Sequence, residues 1–314
     1  MKRPITKKLL WLAVAGFIIV NLMAFSHAWK FTHFSQEPGT RTKGIEKLST
    51  AQKIKTLLLG IDNPKPVNKF TPTKPYQTIK VKGSELLECW EIKTDSAKGT
   101  VILFHGYTGN KAAMLGQADE FLAMGYNTLL VDFAGCGGSE GNCTTVGYKE
   151  AQDVKACYDY LAQQGEKNIF LYGVSMGSAA VLKAMHDYPL QPKALIIECP
   201  FGTMYQTTCA RFKNMGVPSF PMASVLLFWG GVQTGFNPFS HNPVDYANAV
   251  KCPTLLLWGA CDATVSKEET TAIFSNLQGP KNLIVYPKAG HENYLNKYHQ
   301  QWVSDVAAFL SQKI

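Results

Sequence analysis

An α/β fold is predicted for this chain: a mainly parallel, eight-stranded sheet with helices on both faces and a small helical cap. Three features carry that prediction. Short, unbroken apolar runs such as "GTVILFH" and "PTLLLWG" read as strands buried on both faces. Stretches with helical spacing separate these runs, as in successive β–α–β units. Between residues 170 and 182, "FLYGVSMGSAAVL" breaks its apolar run with a serine held between two glycines. With 314 residues, 46% hydrophobic and 17% charged, the chain has enough material for a sizeable core.

The elements follow in order. "MKRPITKKLLWLAVAGFIIVNLMAFSHAWK" opens with Lys2, Arg3, Lys7 and Lys8 and continues as an uncharged run from Leu9 to Phe25. That run is near the lower limit for a spanning helix and slightly long for a signal-peptide core. It is expected to act as a retained anchor, with a cleaved signal as the alternative, the cut falling near Ala24-Phe25-Ser26 or Ser26-His27-Ala28. Residues 1–28 are set apart from the fold on this reading. The basic flank stays inside, so the remainder is exported: anchored at the inner membrane and facing the periplasm, or periplasmic or secreted if cut. Residues 29–75 read as a basic linker with an accessory helix in "GIEKLSTAQKIKTLLLG". Four prolines in "DNPKPVNKFTPTKP" exclude regular structure at its end.

The main domain is expected to span residues 76–314. Its strands are "YQTIKV", "LLECWEIKT", "GTVILFH", "YNTLLVD", "NIFLYG", "ALIIEC", "PTLLLWG" and "KNLIVYP". Its helices fall at 112–124, within "GYKEAQDVKACYDYLAQQG", at 176–187, near 267–277 and near 299–312. A stretch at about 203–250, including "VPSFPMASVLLFWGGVQTGFNPF", is too apolar for an exposed loop and too short for a domain. It is read as a helical cap over the C-terminal edge of the sheet.

The formal charge is +8, but it is unevenly spread. Residues 1–90 hold fifteen Lys/Arg against five Asp/Glu, and residues 91–314 hold sixteen against eighteen. Basicity confined to the arm fits membrane topology, and no nucleic-acid motif accompanies it. None of the eight cysteines has a partner at Cys-x-x-Cys spacing, so neither a metal nor a cofactor is inferred. Cys136 and Cys143 share a Gly-rich loop and are the candidate disulfide pair; small buried thiols are the alternative.

The serine between two glycines carries the chemistry. A hydroxyl becomes a nucleophile only where a base reaches it and substrate can approach. A sharp strand-to-helix turn at Ser175 provides both, and Gly173 and Gly177 remove side chains that would collide there. The helix beyond points its positive end at a developing oxyanion. A Gly-x-Ser-x-Gly match arises by chance about 0.1 times in a chain this long, so the strand-to-helix context supplies the weight. His291, in "PKAGHENY" after the last strand, is the expected base, in preference to His241 and His299. Asp262, in "LLLWGACDATVS", is the expected orienting acid, with Glu198 as the other carboxylate. The oxyanion donors are expected to be the backbone N–H groups of Met176 and Tyr107. His105-Gly106 lets the chain approach closely there, with His105 itself structural.

The order Ser175, Asp262, His291, the preceding His-Gly loop and the insertion after the sixth strand resemble the α/β-hydrolase superfamily. The resemblance is strongest to exported, single-span bacterial hydrolases akin to the Bem46-like and serine-aminopeptidase-like groups. In "DFAGCGGSEG", Asp132, Gly135, Gly137 and Ser139 match a family loop in which Ala134 stands where an Arg is usual, which puts local loop geometry in question. The resemblance implies a serine hydrolase acting on carboxylic esters, thioesters or small amides through an acyl-enzyme. Small-molecule acyl substrates are its expected partners. A peptidase removing N-terminal residues needs an acidic group in the cap, where only Asp245 is offered. A catalytically idle, membrane-tethered interaction module is the remaining alternative.

Overall fold

In a computed structural model of the chain, residues 4–37, 39–42 and 48–312 are described, with the side chains of residues 4–6 left aside. Lys2 and Arg3 of the basic flank lie outside them, as do residues 44–47 of the accessory-helix segment and the last two residues of the main domain.

The sheet contains β1 (Gln77–Lys82), β2 (Leu86–Ile92), β3 (Thr100–Phe104), β4 (Asn127–Val131), β5 (Ile169–Val174), β6 (Ala194–Glu198), β7 (Thr254–Gly259) and β8 (Lys281–Tyr286). Their spatial order is β1-β2-β4-β3-β5-β6-β7-β8. The β1–β2 and β2–β4 pairs are antiparallel and every later pair is parallel. β3, β6 and β7 are buried along their whole length. One core lies against α4 (Glu150–Gln163), α5 (Met176–Asp187) and α9 (Lys267–Asn276), through Val154, Ala179 and Ile273. The other lies against α3 (Leu115–Ala123), the short α10 (Tyr294–Lys297) and α11 (His299–Ser311), through Phe121, Leu295 and Trp302. β3 leads to β4 on one side, while its other neighbour β5 leads to β6 on the opposite side. The loops after β3 and β5 therefore flank a crevice at the C-terminal ends of the strands, where open α/β sheets bind ligands.

The insertion forms α6 (Met204–Asn214), α7 (Met222–Thr234) and the short α8 (Pro243–Tyr246). The first two cover the crevice, while α8 packs on α5 and α9. Ahead of the sheet come α1 (Pro4–Thr32) and α2 (Thr50–Leu59), the latter entered through a Ser49–Gln52 capping box.

Two expectations change. The N-terminal segment is not separate from the fold. α1 runs through the 28/29 boundary, packs along α7, and buries Ala24, Ala28 and Thr32. Small side chains at positions 24 and 28 allow close approach of the two helices. Nor is 29–75 a free linker, because it is strapped across the crevice loops. Arg41 donates to Thr108 O at 2.7 Å and Pro64 O at 2.6 Å, Lys65 to Ser139 O at 2.7 Å, and Asn68 to Asp132 Oδ2 at 2.7 Å. The chain around the four prolines makes these contacts without helix or strand.

Cys136 and Cys143 are unpaired, and all eight cysteines are free thiols. Burial raises the Cys136 pKa well above the ordinary thiol value, as expected of a small apolar packing group.

Candidate active site

Ser175 is the residue between β5 and α5, with φ 52° and ψ −109°. A non-glycine residue in that region carries roughly 1–3 kcal/mol of strain. The surroundings hold it there. Ser175 N–H donates to Glu198 O at 2.8 Å, tying the turn to β6. The buried Ser178 hydroxyl lies 2.7 Å from Gly173 O and 2.8 Å from Glu198 O, and accepts Glu198 N–H at 3.1 Å. Both glycines are sterically required. A Cβ on Gly177 would stand 2.3 Å from Phe104 O, and one on Gly173 2.7 Å from the Gly177 carbonyl carbon.

The late loops bring two further groups to this turn. His291, five residues beyond β8, places Nε2 2.9 Å from Ser175 Oγ. Its Nδ1 lies 2.7 Å from Asp262 Oδ2, in the loop after β7. The other Asp262 oxygen accepts N–H groups from Thr264 at 2.7 Å and Val265 at 2.9 Å. With the carboxylate buried and so held, Nδ1 carries the proton, and the Nε2 lone pair accepts the serine O–H. Removal from bulk water pulls the His291 pKa down. The Cys199 sulfur and the Asp262 carboxylate outweigh it and hold that pKa well above the ordinary imidazole value.

Met176 N–H opens α5 and Tyr107 N–H follows the His105-Gly106 turn; neither has an acceptor among the described residues. A Cβ added to Gly106 would lie 3.3 Å from Val174 O and 3.6 Å from Ser175 Cβ, so this loop runs alongside the serine. His105 is fully buried. Its Nδ1–H donates to Gly106 O at 2.8 Å and its Nε2 accepts Phe133 N–H at 3.2 Å. Both ring nitrogens are engaged in holding the loop, and burial lowers the pKa.

The alternative partners lie elsewhere. His241 is buried with Nε2 3.1 Å from Val146 O, and burial pushes its pKa down to about 4. His299 meets Glu120 Oε1 at 2.8 Å. Glu198 accepts from Tyr172 OH at 2.6 Å and Trp302 Nε1–H at 2.7 Å. Burial raises its pKa to about 7.

Ala134 leaves no cation of its own beside Asp132, and the structure fills that place from a distance. Fully buried Lys111 sets Nζ 2.5 Å from Asp132 Oδ2 and 2.8 Å from Glu88 Oε1, over the Trp90 ring. Asp132 also accepts Lys111 N–H at 2.6 Å and Gly138 N–H at 2.9 Å. The loop geometry that the missing Arg put in question is thus fixed by a lysine from beyond β3.

Two features of the site escaped the sequence. Cys199, at φ 39° just after β6, brings its sulfur within 4.8 Å of the Asp262 and His291 ligand atoms. Its position at a strand end was the available signal. The second is the wall that α1 contributes. Phe31 stacks on Tyr107 at 4.5 Å between ring centroids, and its carbonyl accepts the Tyr107 hydroxyl at 2.7 Å. Arg211 of α6 lies over both rings. Together α1, α2, α6, α7 and the loops at the C-terminal edge of the sheet border an open cavity of about 1250 Å³ at Ser175, whose apolar lining includes Phe31, Met204, Phe212, Leu226, Leu227 and Phe236.

The eight-stranded sheet and its topology are those of the α/β-hydrolase fold, and the proteins this chain is similar to include hydrolases, an esterase and a lipase of that superfamily. A family profile described as serine aminopeptidase, S33, matches residues 95–243. An uncharacterized Bacillus subtilis protein, YqkD, is 24% identical over 225 residues, covering 70% of this chain and 74% of that one. The Danio rerio lysophosphatidylserine lipase ABHD12 is 24% identical over 190 residues, 57% of this chain and 47% of its own length. Among solved structures, the Pyrococcus furiosus esterase Pf2001 superposes with a TM-score of 0.68 at 26% identity, covering 80% of this chain and 97% of that one.

Proposed function

We propose that this protein is a membrane-tethered serine hydrolase that cleaves carboxylic esters bearing a hydrocarbon chain. The observation that carries the reading is the unbroken relay from Asp262 through His291 to the strained Ser175, which opens onto a cavity with many apolar lining residues. Ser175 Oγ attacks the substrate carbonyl while His291 Nε2 takes its proton, and Asp262 stabilises the resulting imidazolium. The carbonyl oxygen, now negative, is received by the N–H groups of Tyr107 and Met176 at the N-terminus of α5. His291 returns the proton to the departing alkoxide. Water, activated by the same imidazole, then attacks the acyl-enzyme and releases the acid and free Ser175.

The relative's name, lysophosphatidylserine lipase, supports a single-chain amphiphile as substrate. The peptidase reading draws on the serine aminopeptidase profile. However, Asp245, its candidate for gripping a substrate amine, sits in α8, which packs on α5 and α9 outside the cavity wall. We read α1 as a retained tether, because both candidate cleavage points fall inside a helix that packs on the cap.

A panel of p-nitrophenyl esters of two to sixteen carbons, run beside an aminoacyl anilide, tests this reading. We expect kcat/KM to rise from the two-carbon ester to medium or long chains, and the anilide to be turned over at least 100-fold more slowly. Turnover of the anilide alone would replace the ester reading with the peptidase one.

A further inference from the structure

We propose that the cap helix α7 lies within the lipid bilayer beside α1, so that the cavity over Ser175 takes its substrate directly from the membrane leaflet. The inference extends the proposed hydrolase function and rests on α1 being a membrane span. Residues 214–244 contain no Asp, Glu, Lys or Arg, although they form part of a cap at the protein surface. α7 runs parallel to α1 in a fixed register. Trp229 Nε1–H donates to Asn21 Oδ1 at 3.1 Å, and one turn later Gln233 Nε2 donates to Phe25 O at 2.8 Å. The Phe25 and Trp229 rings meet edge-on at 5.3 Å. Because the two helices advance together, Met222–Phe228 lies alongside the part of α1 preceding Asn21, inside the uncharged run Leu9–Phe25.

A hydrocarbon core about 30 Å thick takes about 20 helical residues at about 1.5 Å each. Counted from Leu9, such a core ends near Ala28, and the Asn21–Trp229 pair falls about 10 Å within it. A bilayer that holds α1 therefore reaches the outer face of α7 as well. The chemistry of α7 suits that position. Its polar Trp229 and Gln233 groups are turned onto α1, while Phe228 and Val232, four residues apart, face outward with 54% and 58% of their surface exposed. Phe220, just before the helix, is 73% exposed. In water these side chains form an uncovered apolar patch; in lipid they are solvated. The inner side of α7 supplies Leu226, Leu227 and Gly230 to the cavity wall, and α1 supplies Ala28 and Phe31. The helices that would meet the leaflet on one side therefore line the cavity at Ser175 on the other.

The test uses the full-length protein reconstituted in phosphatidylcholine–phosphatidylglycerol vesicles that contain a phospholipid with a diazirine on its acyl chain. After photolysis, labelled peptides are mapped by mass spectrometry. Labels are expected in both Leu9–Phe25 and Phe220–Val232. In the double variant Phe228→Glu, Val232→Glu, the α7 labelling should fall at least fivefold while that of α1 persists. The same variant should hydrolyse p-nitrophenyl acetate in detergent within twofold of wild type, which establishes that it is folded. It should lose at least tenfold against a monoacyl lipid ester presented in vesicles. Labelling confined to α1 overturns the proposal for α7 alone. Absence of label from both segments overturns it together with the membrane reading of α1. Loss of α7 label as the protein-to-lipid ratio is raised, with α1 label unchanged, overturns it in favour of an interface between copies of the chain. Labelling is scored equally well on Ser175→Ala, so the result is independent of whether Ser175 is the nucleophile.

Discussion

At the scale of single residues, the site is held by groups that have few alternatives. Ser175 is held in its strained backbone conformation by the close approach that Gly173 and Gly177 permit and by the Ser178 hydroxyl. Asp262 is fixed by two N–H donors from its own loop. His291 is where titration enters. Only the neutral imidazole accepts the serine proton, and its pKa is held well above the ordinary value despite its partial removal from water. The acid limb of kcat/KM should therefore lie above pH 6.5, with activity rising as pH increases through the His291 pKa. Cys199 is a principal raising influence, so Cys199→Ala should move that limb to lower pH without abolishing turnover. A pH–rate profile of both proteins checks this, and an unshifted limb would remove Cys199 from the account. Ser175, Asp262 and His291 could be singled out in the sequence because each stands just beyond an apolar strand, where side chains emerge at the sheet's C-terminal edge. Cys199 stands at an equivalent place but in no recognised pattern. Lys111 was invisible, since its pairing with Asp132 joins a short helical turn to a distant strand end.

Among the elements, α1 departs most from its sequence reading. Its composition is that of a helix long and apolar enough to span a membrane, and nothing in that pattern reveals that its last two turns form a wall of the site. The relevant information lies in pair contacts, Phe31 with Tyr107 and Asn21 with Trp229, which join residues far apart in sequence. The eight strands, by contrast, were legible one by one, because a strand buried on both faces needs only local apolar composition. The consequence for catalysis runs through Tyr107. Phe31 clamps that residue by ring stacking and by its carbonyl, so Phe31→Ala keeps the carbonyl and removes the ring. A stacked aromatic pair contributes about 0.5–1.5 kcal/mol beyond its burial. Looser placement of the Tyr107 amide should lower kcat on a short soluble ester by roughly twofold to tenfold, the rate equivalent of that energy. An effect on KM alone would argue that Phe31 serves only as cavity wall.

For the molecule as a whole, the crevice is where α1, the strap of residues 29–75, the cap and the sheet converge. The strap reads in sequence as proline-broken linker, because its order comes from hydrogen bonds to other segments and not from its own periodicity. Global stability should also carry a pH signature from Glu198, which joins β6 to Tyr172 on β5 and Trp302 on α11. Its folded pKa of about 7 lies above the ordinary carboxylate value because burial disfavours the charge. The sign follows: stability from this group is fully present below the unfolded carboxylate pKa and is lost as pH rises to about 7. The loss is about 3 kcal/mol. Glu198→Gln should flatten that part of the profile in urea titrations between pH 4.5 and 8. An unchanged slope would show that Glu198 does not titrate in this range.

Active-site labelling tests whether Ser175 is the nucleophile. A fluorophosphonate reagent forms a covalent bond to an activated serine with loss of fluoride, and tryptic mass spectrometry then locates the adduct. One phosphonyl group per chain is expected on Ser175, with no labelling of Ser175→Ala and at least 100-fold slower labelling of His291→Ala. An adduct on another serine, or none on a folded wild-type protein, would contradict the account.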